Sequence, residues 1–485
     1  MSNTRTVSPP LGTTKELLML AWPVVGSYLL NNFYRINDQF WIRDLGRDAQ
    51  AAIGMTFFVQ VLNFALFFLA VGGTMSAVAR SIGAGDLERR DSMTRHGLGL
   101  GIGLGLLLIV LELPLLSMMV GALGLEAGAA SSARDYLLVI LAFSPAIGLF
   151  VTLDATYLGR GQTRVPMVLQ FAAVCLNYCL NPILIFGAEA KHVDAPGAAL
   201  FGTIAEALGI EGRGIAGAAL ATGISRSLVA TVGLLLLRFR FGVDVFRFGR
   251  PVVRRLRAIV SVGAPVSFSI AVYGFVYLLL QALVLSKLGT EVTAGLGIGF
   301  QVFEGVAFPC YLGFAVAGSS LVGRAVGALD ADAAWRVVRR TRASGRVLGL
   351  VCSAGFLAGG RWLIPLFTDD PGVAAETWSY VSILAVSQYW VAVEAINEKA
   401  LMGSGYSKPI LWIAPVGNFL RVPLAAGLAL GLGLGAVGVW WTINLTTMWK
   451  AWLYWRMVER GRWLELAFKR ERAEQVELGP DLPSA

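Results

Sequence analysis

Long apolar stretches, separated by short polar segments, run along this chain from residue 17 to residue 458. Each stretch has the length of about twenty residues or more that an α-helix needs to cross the hydrocarbon core of a bilayer. The pattern predicts twelve transmembrane helices, at approximately 17–41, 50–79, 97–120, 134–158, 165–187, 214–237, 258–286, 292–322, 344–367, 374–402, 410–432 and 435–458. No soluble domain has room between them.

The composition supports this prediction. Of the 485 residues, 56% are hydrophobic and 15% are charged, whereas an ordinary soluble domain has about 25% charged residues. The mean hydropathy is +0.66. Because the first apolar stretch contains Asn31, Arg35 and Asp38 and has no cleavage site, we expect a retained first helix and not a signal peptide.

The distribution of positive charge predicts how the chain lies in the membrane. Most of the 40 Lys and Arg residues fall in the predicted termini and even-numbered loops, and the richest segments are 238–257 and 324–346. Such loops are typical of the cytoplasmic side, so we expect both termini in the cytoplasm and the chain in the plasma (inner) membrane of a bacterium. The lipid bilayer accounts for the net charge of +9 without a nucleic-acid partner. Residues 252–259 fit either an interfacial amphipathic helix or a plain basic loop.

The chain lacks the residue patterns of most cofactor and catalytic sites. Its four Cys lie in predicted helices without a CxxC pair, and it has two His, so we expect neither a disulfide framework nor a structural metal site. The glycine-rich run Gly97–Gly105 lies within a predicted helix, which favours close helix packing over a phosphate-binding loop. Without a Ser/His/Asp set, the chain is expected not to be an enzyme and to need no cofactor.

An internal repeat divides the chain into two halves. The segment ARSIGAGD (Ala79–Asp86) reappears as GRAVGALD (Gly323–Asp330) at an offset of 244, and the glycines of 159–161 recur in 403–405 at the same offset. The repeat predicts two six-helix bundles, the first with an extended external loop at 188–210. The predicted organisation is an N-terminal segment (1–16), an N-lobe (17–240), a cytoplasmic linker (241–257), a C-lobe (258–458) and a cytoplasmic C-terminal tail (459–485).

Duplicated helical bundles are typical of secondary transporters. These proteins place a central cavity between two bundles and expose it alternately on the two sides of the membrane. Because such a cavity is complete within one chain, we expect a monomer that binds a small-molecule substrate.

Five sequence features occur in order along the chain: LAWPVV at 20–25, DQFWIRDLG at 38–46, SIGAGD at 81–86, GRGQTRVP at 159–166 and N-x-x-x-N-P at 177–182. Together they resemble the multidrug and toxic compound extrusion (MATE) family. The resemblance implies an all-α membrane protein whose two pseudo-symmetric six-helix lobes form a V-shaped central cavity. It also implies export of organic compounds against an inward gradient of H+ or Na+.

Ionisable side chains at membrane depth cost about 2.5–3.5 kcal/mol each on insertion, so each is a functional candidate. Asp38, near the outer end of helix 1, matches the aspartate that belongs to the coupling site in this family. A structural ion pair with Arg35, one turn earlier, would also explain it.

Asn177 and Asn181 share a face of helix 5, and their amide oxygens could coordinate Na+ with Asp38 or hold its carboxylate by hydrogen bonds. Interhelical hydrogen bonding alone also fits these amides.

Helix 10 carries Glu394 and Glu398 one turn apart, where mutual repulsion favours a proton on one of them. This spacing makes the pair a second candidate for cation coupling, and the resemblance implies an acidic residue near Glu394. Ion pairs with nearby cations such as Lys399 would explain both acids structurally.

Further residues are expected to line the cavity because they are charged or aromatic at membrane depth. Intramembrane arginines would lower the affinity for cationic compounds or attract an anionic one, and aromatic rings would stack on flat organic compounds. The predicted cavity residues are Tyr34, Arg35, Asp154, Tyr277, Glu304 and Trp390.

The predicted function is efflux of small organic compounds, cationic and amphipathic, by antiport with H+ or Na+. Two alternatives remain open from the sequence. One is a lipid-linked saccharide flippase of the same superfamily, and the other is an exporter of an anionic metabolite. Both would use the intramembrane arginines to pair with anionic groups.

Overall fold

The computed structural model describes residues 12–245 and 252–477, and all regular secondary structure among them is helical. The first lobe is built from nine α-helices within the described residues. They are α1 (Thr14–Ile42), α2 (Arg47–Gly83), α3 (Leu87–Glu112), α4 (Leu116–Ala122), α5 (Ala127–Ala142), α6 (Ser144–Gly159), α7 (Arg164–Phe186), α8 (Ala198–Ala207) and α9 (Gly214–Phe239).

The second lobe and the C-terminal segment contain nine more α-helices within the described ranges. They are α10 (Val253–Leu283), α11 (Thr290–Ile298), α12 (Gly305–Gly327), α13 (Ala331–Leu363), α14 (Pro371–Gly403), α15 (Ile410–Phe419), α16 (Arg421–Ala425), α17 (Gly435–Glu459) and α18 (Arg462–Glu477). Two π-helical segments, Gly299–Glu304 and Ala426–Gly431, continue α11 into α12 and extend α16.

Twelve of the resulting helical units correspond to the twelve predicted spans. By length and composition nine of them, among the described residues, can cross a membrane, and α5 with α6 forms a tenth that is bent by 58°. The remaining two, α1 and α17, have 29 and 25 residues, enough to cross. Their mean hydropathy is lower because they carry polar side chains such as Asp38 and Lys450, which face protein rather than lipid.

The repeated segments form equivalent turns in the two lobes. Asp86 caps the N-terminus of α3 by accepting a hydrogen bond from the Arg89 amide, and Asp330 caps α13 in the same way. The residue before each aspartate has a left-handed backbone, with φ of 73° at Gly85 and 55° at Leu329. The shared turn geometry explains why Asp recurs in register, although the left-handed position is Gly85 in one copy and Leu329 in the other.

The two lobes cross backbone to backbone where α2 meets α12. A Cβ built on Gly83 would lie 1.9 Å from the carbonyl oxygen of Arg324, and one built on Gly327 would lie 1.9 Å from that of Arg80. The two contacts are equivalent in the repeat, so the crossing point lies on the pseudo-two-fold axis. Only glycine permits this approach.

We call the surface next to this crossing the terminal face, because both described chain ends lie there. Gly12 accepts a hydrogen bond from Arg340 near the start of α13, and Gln475 of α18 donates to the Gly327 carbonyl over 3.1 Å. That both ends lie on the same face agrees with an even number of membrane crossings.

The cleft between the lobes opens away from the terminal face. On the terminal side, a Cβ on Gly73 of α2 would lie 1.9 Å from the Ile259 carbonyl oxygen of α10. At mid-depth, Asn32 of α1 donates to the Gly305 carbonyl of α12. Toward the opposite face, an added Cβ on Gly54 or Gly297, which are equivalent in the repeat, would meet no atom within 4 Å.

The segment after α17 forms α18, which the sequence pattern did not predict. A buried ion cluster joins it to the first lobe: Arg80 donates to Glu471 over 2.6 Å and to Glu474 over 2.7 Å, and Arg89 donates to the same carboxylates over 2.6 and 2.9 Å. The side chains of Arg80, Arg89 and Glu471 are fully buried. Toward the second lobe, Arg470 donates to the Gly405 carbonyl over 2.7 Å.

Glu474 of the ion cluster is charged across the physiological pH range. Burial alone would raise the pKa of Glu474, but the guanidinium groups of Arg80, Arg470 and Arg89 outweigh it and lower the pKa to about 2. A depressed carboxyl pKa adds stability that is complete above about pH 4.3 and is lost as the pH falls toward 2.

Two connecting segments discussed from the sequence have a defined secondary structure. Residues 252–259 belong to the first turns of α10 and do not form a separate interfacial helix. The loop 188–210, predicted to be external, contains a short 3-10 helix (Ala188–His192) and α8, and a backbone bridge between Gly187 and Glu211 closes it. Residues 1–11, 246–251 and 478–485 of the predicted N-terminal segment, linker and tail lie outside the described residues.

The ion cluster yields a stability prediction. Glu471→Gln leaves two buried guanidinium groups short of a counter-charge, so we expect the free energy of unfolding to fall by about 3–5 kcal/mol. The measurement is thermal unfolding in detergent. Glu465→Gln, at an exposed position on the same helix, is the matched control and should change the free energy of unfolding by less than about 0.5 kcal/mol. Equal melting temperatures for the two variants would show that α18 is not held by these charges.

Candidate functional site

Asp38 lies on the wall of the first lobe, where two neighbouring helices hold its carboxylate. Asn181 of α7 donates to one carboxylate oxygen over 3.0 Å, and the Thr222 hydroxyl of α9 donates to the other over 3.3 Å. Arg35, which could have paired with Asp38 from one turn away, instead lies over the Phe57 ring with its Cζ 4.6 Å from the centroid. Among the described residues, the Asp38 carboxylate therefore accepts hydrogen bonds only from neutral groups.

An amide ladder continues from Asp38 into the lobe. The Asn177 side-chain oxygen accepts from Asn37 over 2.5 Å and from Asn181 over 3.3 Å, and its nitrogen donates to the Thr222 hydroxyl over 3.5 Å. Asn177 and Asn181 are fully buried. The network fixes the position of Asp38 because each amide satisfies its neighbour.

Tyr34 and Arg226 lie next to this network. The Tyr34 hydroxyl lies 2.7 Å from the Ser225 hydroxyl and donates to the Thr222 carbonyl over 3.4 Å. The Arg226 guanidinium lies over the Tyr34 ring, 4.9 Å from its centroid, and over Phe150 at 5.6 Å. Arg226 is thus placed as a positive charge behind the carboxylate, held by aromatic faces.

The donor set around Asp38 fits a monovalent cation. Carboxylate, amide and hydroxyl oxygens of Asp38, Asn177, Asn181 and Thr222 lie within one hydrogen-bonded cluster, and such hard oxygen ligands suit Na+. The Asn181 side-chain oxygen is buried without a hydrogen-bond partner. A proton would bind the Asp38 carboxylate itself. No group of three or more His, Cys, Asp or Glu residues that could hold a metal ion occurs in the described part of the chain.

The second lobe presents a different set of groups. Glu304, at the end of the π-helical segment before α12, accepts a hydrogen bond from Tyr380 over 3.0 Å. Tyr277 of α10 stacks against Tyr273 with ring centroids 4.7 Å apart. Arg421 lies beside both rings, and its Nη1 donates to the Tyr277 hydroxyl over 3.4 Å.

Glu394 and Glu398 of α14 each have a lysine partner. Lys450 of α17 donates to Glu394 over 2.7 Å, and Lys399 donates to Glu398 over 2.7 Å. The two ion pairs neutralise the carboxylates separately, so the repulsion that the spacing predicted is offset. The arrangement is the one expected if both acids serve as structural ion-pair partners.

Asp154 and Trp390 lie outside these clusters. One carboxylate oxygen of Asp154, on α6, is buried without a hydrogen-bond partner. Trp390, on α14, packs edge-to-face on Tyr389 with centroids 5.3 Å apart. Arg160, a cation that could have paired with Asp154, bonds Asp91 over 3.3 Å instead.

Several residues of the two clusters were not predicted as site members. Thr222 and Tyr380 carry no sequence signal, because threonine and tyrosine are common in membrane helices and only the fold brings them to an acid. Asn37 stands next to Asp38, and Lys450 is a cation within a predicted span, so the cost of burying polar groups could have identified both.

Comparisons with known proteins agree with this architecture. A family model described as MatE matches residues 23–183 and, in a second copy, residues 265–426. The probable multidrug resistance protein NorM of Thermotoga maritima is 26% identical over 473 residues, which cover 95% of this chain and 96% of that protein. The multidrug export protein MepA of Staphylococcus aureus is 23% identical over 435 residues, covering 88% and 90%.

The fold is also similar to solved structures. One of them, described as the outward-facing conformation of a multidrug resistance MATE family transporter, superposes with a TM-score of 0.80 at 22% identity, over 95% of this chain and 97% of that one. The all-α arrangement in two lobes is therefore the fold of this chain.

The Lys450–Glu394 pair provides a test of the second-lobe geometry. Lys450→Met leaves a buried carboxylate without its counter-charge, so we expect a loss of about 3–5 kcal/mol in the free energy of unfolding, measured by thermal melting in detergent. Adding Glu394→Gln should recover most of that loss. Lys191→Met, which breaks the more exposed pair with Glu206, should cost at most about 1 kcal/mol. A double variant as unstable as Lys450→Met alone would contradict the pairing.

Proposed function

Since the chain belongs to the MATE family of membrane transporters, we propose that it exports small amphipathic organic compounds with a basic group in exchange for H+ or Na+. The observation that supports this proposal most directly is the Asp38 carboxylate. It lies on the wall of the first lobe and is held by Asn181 and Thr222 without an ion-pair partner among the described residues. A carboxylate in this setting can gain and lose a cation without breaking an ion pair.

The exchange follows from the two states of this carboxylate. When Asp38 is charged, its negative field favours a cation entering the open cleft, and Arg226 behind it limits how tightly that cation is held. A bound cation weakens the attraction of the cleft for the basic group of a substrate. By linkage, each ligand then lowers the affinity for the other, which is the requirement for antiport.

The rest of the cleft supports the substrate class. Glu304 adds a second carboxylate, and the paired Tyr273 and Tyr277 rings add flat apolar faces for an organic compound.

We place the terminal face in the cytoplasm of a bacterium. The argument is the excess of Lys and Arg in the segments that lie there, among them 324–346. With that orientation, the cleft described above opens to the outside, the side on which a coupling cation enters and a substrate leaves.

The function is tested by transport in proteoliposomes of known orientation. We expect a fluorescent organic cation to be taken up when either an imposed pH gradient or an imposed Na+ gradient supplies the driving force, and the gradient that works identifies the coupling ion. Protein-free liposomes and a collapsed gradient are the controls. Folded protein that is inactive with both gradients would overturn the proposal and favour a lipid-linked substrate, which co-purified lipid analysed by mass spectrometry would reveal.

The role of Asp38 is tested separately. Asp38→Asn keeps the shape of the side chain but removes its negative charge, so we expect gradient-driven uptake to fall to the level of protein-free liposomes while expression is unchanged. Asp44→Asn, at an exposed aspartate in the 3-10 turn that follows α1, is the matched control and should transport like the unmodified protein. Normal transport by Asp38→Asn would exclude Asp38 from coupling.

A further inference from the structure

We propose that α8 is an interfacial helix, whose exposed apolar face is embedded in lipid at the membrane surface opposite the terminal face. Its partner is the boundary between the headgroups and the acyl chains of one bilayer leaflet. α8 lies in the extended loop 188–210, which distinguishes the first lobe from the second. The membrane embedding of the chain is the only premise, so neither the transported compound nor the coupling ion affects it.

The loop lies at the end of α7 that is far from the terminal face. α7 starts after the turn at Gly161, which lies against Arg324 near the helix crossing, and its 23 residues rise about 35 Å at 1.5 Å per residue. Tyr178, about two turns before the end of α7, donates to the Pro196 carbonyl over 2.8 Å, and its ring lies 6.4 Å from that of Phe201 in α8. α8 therefore packs beside the last turns of a membrane-spanning helix and not beyond its end.

Two sides of α8 are apolar. One side is buried against the first lobe and consists of small residues, Ala198, Gly202 and Ala205. The other side is exposed and consists of large residues, Leu200, Ile204 and Leu208, which are 63%, 36% and 67% exposed. Because these three follow one another at a spacing of four residues, they share one side of the helix, about a third of a turn around from the buried side.

The third side of α8 is polar. It carries Thr203 and Glu206, both exposed, and Glu206 accepts a hydrogen bond from Lys191 of the preceding 3-10 helix in an exposed ion pair. α8 thus has protein on one side, aliphatic side chains on the second and a solvated ion pair on the third. A helix that lies in the plane of a membrane surface has this division, with its apolar side in the acyl-chain boundary and its charges toward water.

The position of α8 favours lipid over another protein as the partner of the apolar face. On another side of α7, Phe171, Cys175 and Cys179 are exposed along one stripe of a membrane-spanning helix, where the surroundings are hydrocarbon. Cys179 follows Tyr178, the residue that contacts α8, so α8 borders a surface that faces lipid. A stable interface between two copies of the chain would bury at least about 1,200 Å² in total, which is more than one side of a ten-residue helix offers.

The anchored loop also contacts the C-terminal end of α1. Nη2 of Arg43, directly after α1, donates to the Asp194 carbonyl over 3.4 Å, and the Trp41 ring lies 5.4 Å from that of Tyr178. The loop therefore connects the lipid surface to the end of the helix that carries Asp38.

The test measures the accessibility of nitroxide labels in proteoliposomes. The four free cysteines are replaced by alanine, and labels are attached in Leu200→Cys, Leu208→Cys and, as the matched control on the polar side of the same helix, Thr203→Cys. Molecular oxygen concentrates in hydrocarbon, whereas a nickel chelate stays in water. We expect the ratio of oxygen to chelate collisions to be several-fold higher at 200 and 208 than at 203, at a depth of about 5–10 Å below the headgroup surface.

A second measurement needs no substitution and stands even if the cysteine-free protein does not fold. Phospholipids with a diazirine in the acyl chain are photolysed in proteoliposomes of the unmodified protein. The tryptic peptide 192–213 contains all of α8, because no Lys or Arg lies between Lys191 and Arg213. Mass spectrometry should place carbene adducts on the apolar side of α8 and not on Thr203 or Glu206.

Three results would overturn the interfacial helix. Frequent chelate collisions at all three labels would show that water covers the apolar face. Few collisions with either reagent at 200 and 208 would show that protein covers it, such as a second copy of the chain. Adducts on peptides of the membrane-spanning helices but not on peptide 192–213 would show that acyl chains do not reach α8.

Discussion

The backbone contact between α2 and α12 determines how the two lobes are arranged. Gly83 and Gly327 each lie against the carbonyl group of the other repeat's arginine, at a distance that no side chain would permit. The contact brings Arg80 over the turn at Gly405 and Arg324 over the turn at Gly161, which are again equivalent in the repeat. Because the lobes are held together at this end, the cleft between them opens at the other.

On this symmetric frame the two lobes carry different chemistry. In a membrane the backbone groups must be hydrogen-bonded within helices, so both lobes are built from helices, and the repeat gives them the same order. Side chains within the lobes are free to diverge provided that each buried polar group finds a partner. The first lobe meets this condition with amides and hydroxyls around Asp38, and the second meets it with lysine–glutamate pairs.

The sequence predicted the spans and the repeat because both depend on local hydrophobicity and on residues with special structural roles, such as Gly83 at the helix crossing and Asp86 at the helix cap. It also led to Asp38, since a charge at membrane depth is rare. It did not lead to α18, because that helix is polar and its partners are almost four hundred residues away. Nor did it identify the neighbours of Asp38 and Glu304 on other helices, whose contribution depends on helix rotation and not on residue type.

The attachment of α18 has a consequence for the range of motion at the terminal face. Its first turn is fixed to the second lobe, where Trp463 packs on Trp335 with centroids 5.9 Å apart, and Gly461 joins it to α17 with a φ of 72°. Its last turns are fixed to the first lobe through Glu471 and Glu474. The helix is thus a link of definite length between the two lobes. Separating the lobes at this face would require α18 to turn about Gly461 and release the contact of Arg470 with the second lobe, or would require the buried charges to be pulled apart.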